Sequence, residues 1–433
     1  MARPDPGNLS RRRRIFSAFW RNRTAPGLGR TLDVRRRGAP RPNPPRAPRV
    51  RRLLAAGSAA ALVVLALLAA LGWHVSGRIH REALLASYDR GPEQYDDALV
   101  AAVDSTSITL APIRDERGRL AREGAWGLFW DGGSGRVGAI LRRDGTRIVR
   151  AFTPFDGIPA KGDNVDLRLE AYQGDPLRAR GIPFREVAIE TELGPAPAWK
   201  IAGTRSTWVV FVHGKGASRR QALRALGVVH SLGFPALVIT YRNDSGAPAS
   251  PDGRYHYGLT EWRDAESAVR YALANGAEDV VLMGTSMGGG IVAAFLENSP
   301  LAPSVSRAVL DSPMLDFGET VDWGVKHATV PGTKFPMPAI AGILGKQFAA
   351  WRYGVDWKAL DLRRRAASIR ARLLLFHGDA DEIVPFATSR ALAARFPDRV
   401  TFVPFPGANH AEGWNVDSLR FNESLRAFLE PVR

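Results

Sequence analysis

The apolar run Val280-Val281-Leu282-Met283 passes directly into Gly284-Thr285-Ser286-Met287-Gly288. A helix-compatible stretch, Met287 to Glu297, follows at once. This order predicts a buried strand, a sharp turn and a helix, with Ser286 at the apex. Side chains two positions to either side of the serine would collide with the neighbouring strand and helix, so glycine stands at both. The turn lifts the Ser286 hydroxyl out of the sheet, where it is placed to act as a nucleophile.

Around this point apolar runs alternate with helical stretches. Thr207 to Val212, Ala236 to Tyr241, Arg307 to Leu310, Arg372 to Phe376 and Val400 to Phe405 read as strands. Ser218 to Leu232 and Leu259 to Ala274 read as helices. Such alternation implies an α/β fold: a mostly parallel sheet covered by helices on both faces. Phe184 to Glu192 and Ala198 to Ala202 read as an opening hairpin, so this domain is expected over 183–433. The alternation stops between about 312 and 361. That insertion, which contains Trp323, Phe335, Phe348, Trp351, Tyr353 and Trp357, is expected to form a small helical cap. Most of its aromatics are expected to pack the cap onto the core, with the rest lining an acyl or alcohol pocket, and the site below is expected to be fairly open.

Two further segments end strands near the same sheet edge. His377-Gly378-Asp379-Ala380-Asp381 follows one strand, and Pro406-Gly407-Ala408-Asn409-His410 follows the last. A histidine in a loop after the final strand can swing back over the sheet, take the serine proton through Nε2 and be held at Nδ1 by a carboxylate. Asp381, Asp379 and Asp311 are the candidate acids. His213 and His377 each follow a strand and precede glycine, and are expected to shape turns. No histidine pattern has metal-ligand spacing.

HGKG at 213–216, TYRN at 240–243, GTSMGG at 284–289, HGDADEIVP at 377–385 and GANH at 407–410 together resemble the α/β-hydrolase superfamily. The prolyl-oligopeptidase-like and Bem46-like branches are particularly similar. The resemblance covers about 183–433. It implies a Ser-acid-His order and no cofactor. The segment similar to H-G-x-x-D-x-x-V-P places the acid at Asp381, with Asp379 and Asp311 as turn residues. An oxyanion hole is implied at the backbone amides of Met287 and Lys215, with Gly214 as the alternative to Lys215. The Lys215 side chain is expected in solvent. The loop Asn243 to Tyr257 has no counterpart in a short family turn and is expected on the surface or at the site's edge.

The chain has 433 residues and no cysteine, which excludes a thiol nucleophile, disulfides and a cysteine zinc site. Its net charge of +17 is unevenly placed. Residues 1–52 hold sixteen Arg against Asp5 and Asp33, contributing +14 and leaving +3 for everything else. This Arg- and Pro-rich arm cannot bury a core and is expected to be disordered. Leu53 to Trp73 follows without a charge and is long enough to span a bilayer. Arg46, Arg49, Arg51 and Arg52 precede it, so the N-terminus is expected in the cytoplasm and the body outside, with Trp73 at the outer interface. The arm would then meet anionic lipid; specific nucleic-acid binding is not expected, because no aromatic pattern suits base stacking.

Residues 74–95 are expected to be a connector. Over 96–180, Ser107 to Pro112, Ala125 to Trp130, Arg136 to Arg142, Arg147 to Phe152 and Val165 to Tyr172 read as strands, with a tight hairpin at Asp144-Gly145. They predict a small antiparallel β module serving as spacer, substrate-facing wall or docking surface for an unknown protein partner. The expected whole is a membrane-anchored serine hydrolase for small-molecule or lipid acyl esters. A peptidase and a non-catalytic scaffold are the alternatives.

Overall fold

The computed structural model describes residues 47–86, 95–115, 118–330, 332–364 and 366–432. Most of the expected disordered arm, residues 1–46, and residues 87–94 of the expected connector lie outside the described residues. Two units are distinguished, Met1–Ala60 and Ala61–Arg433.

An apolar helix covers Ala47–Arg78 and continues as a wider π-turn over Ile79–Leu84. Its Leu62, Val64 and Leu67 are exposed, whereas Val75, Ile79 and Leu84 are buried. The helix does not break after Trp73, where the connector was expected to begin. Its last turns find partners: Gly345 is so close to Val75 that a Cβ would overlap the valine side chain, and the Tyr255 amide bonds the Leu84 carbonyl at 2.7 Å.

Six strands then form a closed antiparallel barrel: β1 (Ala98–Val103), β2 (Ser107–Pro112), β3 (Trp126–Trp130), β4 (Gly133–Asp144), β5 (Arg147–Asp156) and β6 (Asn164–Arg168). The order is β1-β2-β5-β4-β3-β6, and β1 pairs with β6 to close it. Alternating side chains such as Ile108 and Leu110, or Val165 and Leu167, fill the interior around the fully buried Trp126. The Asp144-Gly145 hairpin forms as expected, with Asp144 opposite Arg147 and Gly145 at φ 59. Buried Arg150 faces the carbonyls of Arg119, Leu120, Arg122, Gly124 and Gly138 and binds the loop before β3 to the barrel. Its burial pushes this guanidinium down to about 10.

The second sheet has eight strands: β7 (Phe184–Thr191), β8 (Gly194–Ile201), β9 (Thr207–Val212), β10 (Ala236–Ile239), β11 (Asp279–Thr285), β12 (Val305–Asp311), β13 (Arg372–Gly378) and β14 (Val400–Phe405). Their order is β14-β13-β12-β11-β9-β10-β8-β7. β7 and β8 form the antiparallel opening hairpin, β8 runs antiparallel to β10, and every later pair is parallel. The central parallel strands are buried on both faces; all six residues of β9 and all four of β10 are buried, whereas the edge strand β14 is partly exposed. Two helices, Phe317–His327 and Ile340–Tyr353, fill the insertion between β12 and β13.

Candidate active site

Ser286 stands between β11 and the helix Met287–Asn298 at φ 54 and ψ −120. A residue with a Cβ adopts this conformation only where its surroundings hold it. They do so here. The Ser286 amide bonds the Asp311 carbonyl at 2.9 Å, and the Ser286 carbonyl accepts from Gly289 and Met314. A Cβ on Gly284 would overlap the Gly288 carbonyl, and one on Gly288 would overlap the Val212 carbonyl. Both glycines are therefore steric requirements of the turn, as the sequence implied.

The structure brings Ser286, His410 and Asp381 into one line. His410 Nε2 is 2.8 Å from Ser286 Oγ, and His410 Nδ1 is 2.7 Å from Asp381 Oδ2. A carboxylate accepts, so Nδ1 carries a proton and Nε2 is left as the acceptor for the serine hydroxyl. Asp381 Oδ1 accepts from the amides of Ile383 and Val384, both at 2.8 Å. Burial works to raise the Asp381 carboxyl, but the bonds from His377 and His410 outweigh it and hold the group well below the usual carboxylate range.

The other candidate acids fall elsewhere. Asp379 Oδ1 accepts from the Gly407 amide at 2.7 Å and closes a turn. Asp311 is buried 3.8 Å from Arg224, and burial raises its carboxyl. His377 does more than shape a turn: its Nε2 lies 3.1 Å from the same Asp381 oxygen that meets His410, and Nδ1 is 2.8 Å from Ser389 Oγ. His213 is buried between Asp244, 2.9 Å from Nε2, and the Gly214 carbonyl, 2.9 Å from Nδ1. Burial opposes its charge, yet Asp244 and that carbonyl raise its proton affinity.

Lys215 and Met287 flank the serine in a common pocket. The Gly214 amide bonds Gln221 Oε1 at 2.8 Å, which removes the alternative donor. The Lys215 ammonium is not free in solvent as expected; it donates to the Glu82 carbonyl at 2.8 Å. The pocket has a volume of about 540 Å³. Phe317, Val321, Val325 and Met337 of the insertion line it, together with Val75 and Ile79. None of the six aromatics singled out in the insertion lines it. Trp357 stacks on Phe317, Trp323 bonds the Asp381 carbonyl, and Phe335 and Trp351 are exposed. The loop Asn243 to Tyr257 runs partly over the surface, with Ser245, Gly246, Pro251 and Asp252 exposed, and reaches the site at its end, where Tyr257, at φ 51, lines the pocket and stacks on Phe317.

A buried clamp holds the His410 loop against the barrel. Glu412 accepts from Arg119 Nε at 3.0 Å and from Arg122, and its other contact is the Asn409 amide at 3.1 Å. Asn415 donates to the carbonyls of Ala125 and Leu169. Sequence reasoning missed this clamp because its partners lie 246 to 293 residues apart. Among the described residues, Asp96, Asp97 and Asp166 are the carboxylates grouped closely enough to hold a cation; Asp166 already accepts from the amides of Asp96 and Asp97.

Residues 99–168 match a domain family described as a domain of unknown function, DUF8805, and this stretch coincides with the barrel strands. An uncharacterized protein of Mycobacterium tuberculosis is 24% identical over 252 residues, covering 57% of this chain and 79% of the relative. An esterase of Pyrococcus furiosus is 19% identical with a TM-score of 0.48, covering 60% of this chain and 95% of the other. An esterase of Exiguobacterium antarcticum is 17% identical with a TM-score of 0.42, covering 56% and 99%. On its own strand order and serine turn, the body of this chain has an α/β-hydrolase fold, preceded by an antiparallel barrel and a long apolar helix.

Proposed function

We propose that the protein is a membrane-anchored serine hydrolase of carboxylic esters. The observation that carries the reading is the line Ser286 Oγ, His410 Nε2, His410 Nδ1, Asp381 Oδ2, with spacings of 2.8 and 2.7 Å. Ser286 Oγ attacks the ester carbonyl carbon as its proton passes to His410 Nε2. The carbonyl oxygen becomes an oxyanion held by the amides of Met287 and Lys215. His410 returns the proton to the departing alcohol as the C–O bond breaks. Water then attacks the acyl-enzyme by the same route and releases the acid. Asp381 keeps His410 in the required tautomer and supports its positive charge.

An ester is favoured over a peptide by the pocket beside Ser286, whose walls are mainly aliphatic and aromatic. Within the α/β-hydrolase fold, the proposed branch is the Bem46-like or prolyl-oligopeptidase-like one, a reading supported by the motifs at 213–216, 240–243, 284–289, 377–385 and 407–410. Membrane insertion is supported by the helix Arg51–Leu84, which is long and apolar enough to cross a bilayer and exposes Leu53, Leu54, Leu62, Val64 and Leu67 in its first half. The arginine excess before it orients the arm to the cytoplasm and the hydrolase outside. Full-length protein should react with a fluorophosphonate probe and hydrolyse p-nitrophenyl butyrate. A folded protein that does neither is a scaffold, not an enzyme.

A further inference from the structure

We propose that the foot of the apolar helix is a wall of the acyl pocket, and that the substrate is a long-chain acyl ester taken from the leaflet this helix occupies. The proposal rests on the serine-hydrolase reading and specifies its substrate.

Val75, Ile79 and Ala83 recur every four residues and present one face of the helix to the pocket that contains Ser286 and His410. The insertion supplies the facing wall through Phe317, Val321 and Val325. The acyl pocket is thus incomplete without residues that, by sequence, belong to the connector but fold as the continuation of the anchor helix.

This wall is fixed to the hydrolase. The Arg352 guanidinium lies 3.5 Å above the Trp73 ring and donates to Ser76 Oγ at 2.8 Å. The Tyr257 hydroxyl donates to the Ala83 carbonyl at 3.0 Å, and the Lys215 ammonium to that of Glu82 at 2.8 Å. Lys215 is the residue proposed to supply an oxyanion amide, so the helix foot touches both the acyl wall and the oxyanion loop. Gly72 and Gly345 permit the close packing: a Cβ on Gly72 would meet the Phe348 ring, and one on Gly345 would overlap Val75.

The same end of the insertion exposes Ile343 and Trp351, at 55% and 74%. Both belong to the helix Ile340–Tyr353 that packs along residues 72–79. Exposed apolar surface beside an interfacial tryptophan suits contact with lipid. From Trp73 to Val75 the chain rises about 3 Å at helical pitch. The pocket wall therefore begins within a few ångströms of the end of the apolar run. An acyl chain leaving the bilayer there meets Val75 and Ile79 without crossing water, while its ester reaches Ser286. Arg78 and Glu82, paired at 2.8 Å, and Lys215 and Glu382 give the pocket its polar side, where a head group would remain.

The test uses the full chain in nanodiscs of non-hydrolysable diether phospholipid. Two esters are compared, 1-oleoylglycerol incorporated in the disc and p-nitrophenyl butyrate added from water, in wild type and Ile79→Trp. The expected result is a fall of about tenfold in the ratio of 1-oleoylglycerol to butyrate turnover, whatever the change in butyrate turnover itself. Wild-type turnover of 1-oleoylglycerol should fall when diether lipid dilutes it in the disc at constant bulk amount. Equal losses on both esters, no loss on either, or a rate that follows bulk amount alone would overturn the proposal. If Ile79→Trp does not fold, Ile79→Ala replaces it. That variant should shift the preferred acyl chain to greater length, and an unchanged preference overturns the proposal. A wild type that binds no fluorophosphonate refutes the serine-hydrolase reading itself, an outcome separate from an equal response to the two esters.

Discussion

Ser286, at φ 54, is one of five non-glycine residues with positive φ among those described. Its conformation was legible because the turn demands glycine two positions to either side of the serine, whichever strand or helix packs against them. Gly288→Ala should therefore destabilise the protein by roughly 3 kcal/mol through overlap with the Val212 carbonyl, visible as a lower urea midpoint, and should abolish fluorophosphonate labelling. His410 was legible because it lies in the loop after the last strand, whereas strand ends offered three acids and only the resemblance of residues 377–385 to H-G-x-x-D-x-x-V-P singled out Asp381. The second histidine on Asp381 was not legible, because nothing in His377-Gly378 says where its ring turns. Asp381 carries a pH prediction. Its folded carboxyl lies below its unfolded value of about 3.9, so its contribution to stability is present above that value and is lost as pH falls toward the folded one. The stability gap between wild type and Asp381→Asn, measured by urea unfolding, should narrow from pH 6 to pH 3. A constant gap would mean that the histidine bonds do not hold the carboxylate down.

Among the elements, the parallel strands were readable from continuous apolar runs, and five barrel strands from alternation between turn signals. β1 was missed. Ala98-Leu99-Val100-Ala101-Ala102-Val103 is half alanine, which lacks the branched and aromatic side chains that mark a strand, and the segment is held by pairing with β2 and β6. Closure of the barrel was equally unreadable, since the β1–β6 pairing joins segments over sixty residues apart. The module also proves to be more than a spacer in its contacts. Arg119 and Arg122 reach Glu412, two residues beyond His410, and the Glu412 side chain is only 2% exposed. Glu412→Ala would leave Arg119 buried without its carboxylate and should cost about 3–5 kcal/mol. Glu412→Gln keeps much of the hydrogen bonding and should lower kcat about tenfold with KM nearly unchanged, because it loosens the His410 loop and not the acyl pocket. A rise in KM alone would argue against a positioning role. Removal of residues 96–180 should likewise abolish turnover, in contrast to a detachable docking module.

At the scale of the whole molecule, the apolar run was legible as a span from length and composition, but its second use was not. Residues after Trp73 look like the start of a connector because charges reappear at Arg78, Arg81 and Glu82. Only the folded chain shows that Val75 and Ile79 turn toward the serine. Orientation can be tested directly, since the chain has no native cysteine. In intact cells an impermeant maleimide should label Glu423→Cys and leave Ser17→Cys unlabelled until the membrane is opened. The reverse pattern would place the hydrolase in the cytoplasm. The most direct test of the central claim is fluorophosphonate labelling and p-nitrophenyl butyrate turnover by the full chain, beside Ser286→Ala and His410→Ala of matched folding. The account predicts labelling and turnover in the wild type, with kcat reduced about ten-thousand-fold in either variant. Undiminished turnover in Ser286→Ala, or an inert wild type, would contradict it.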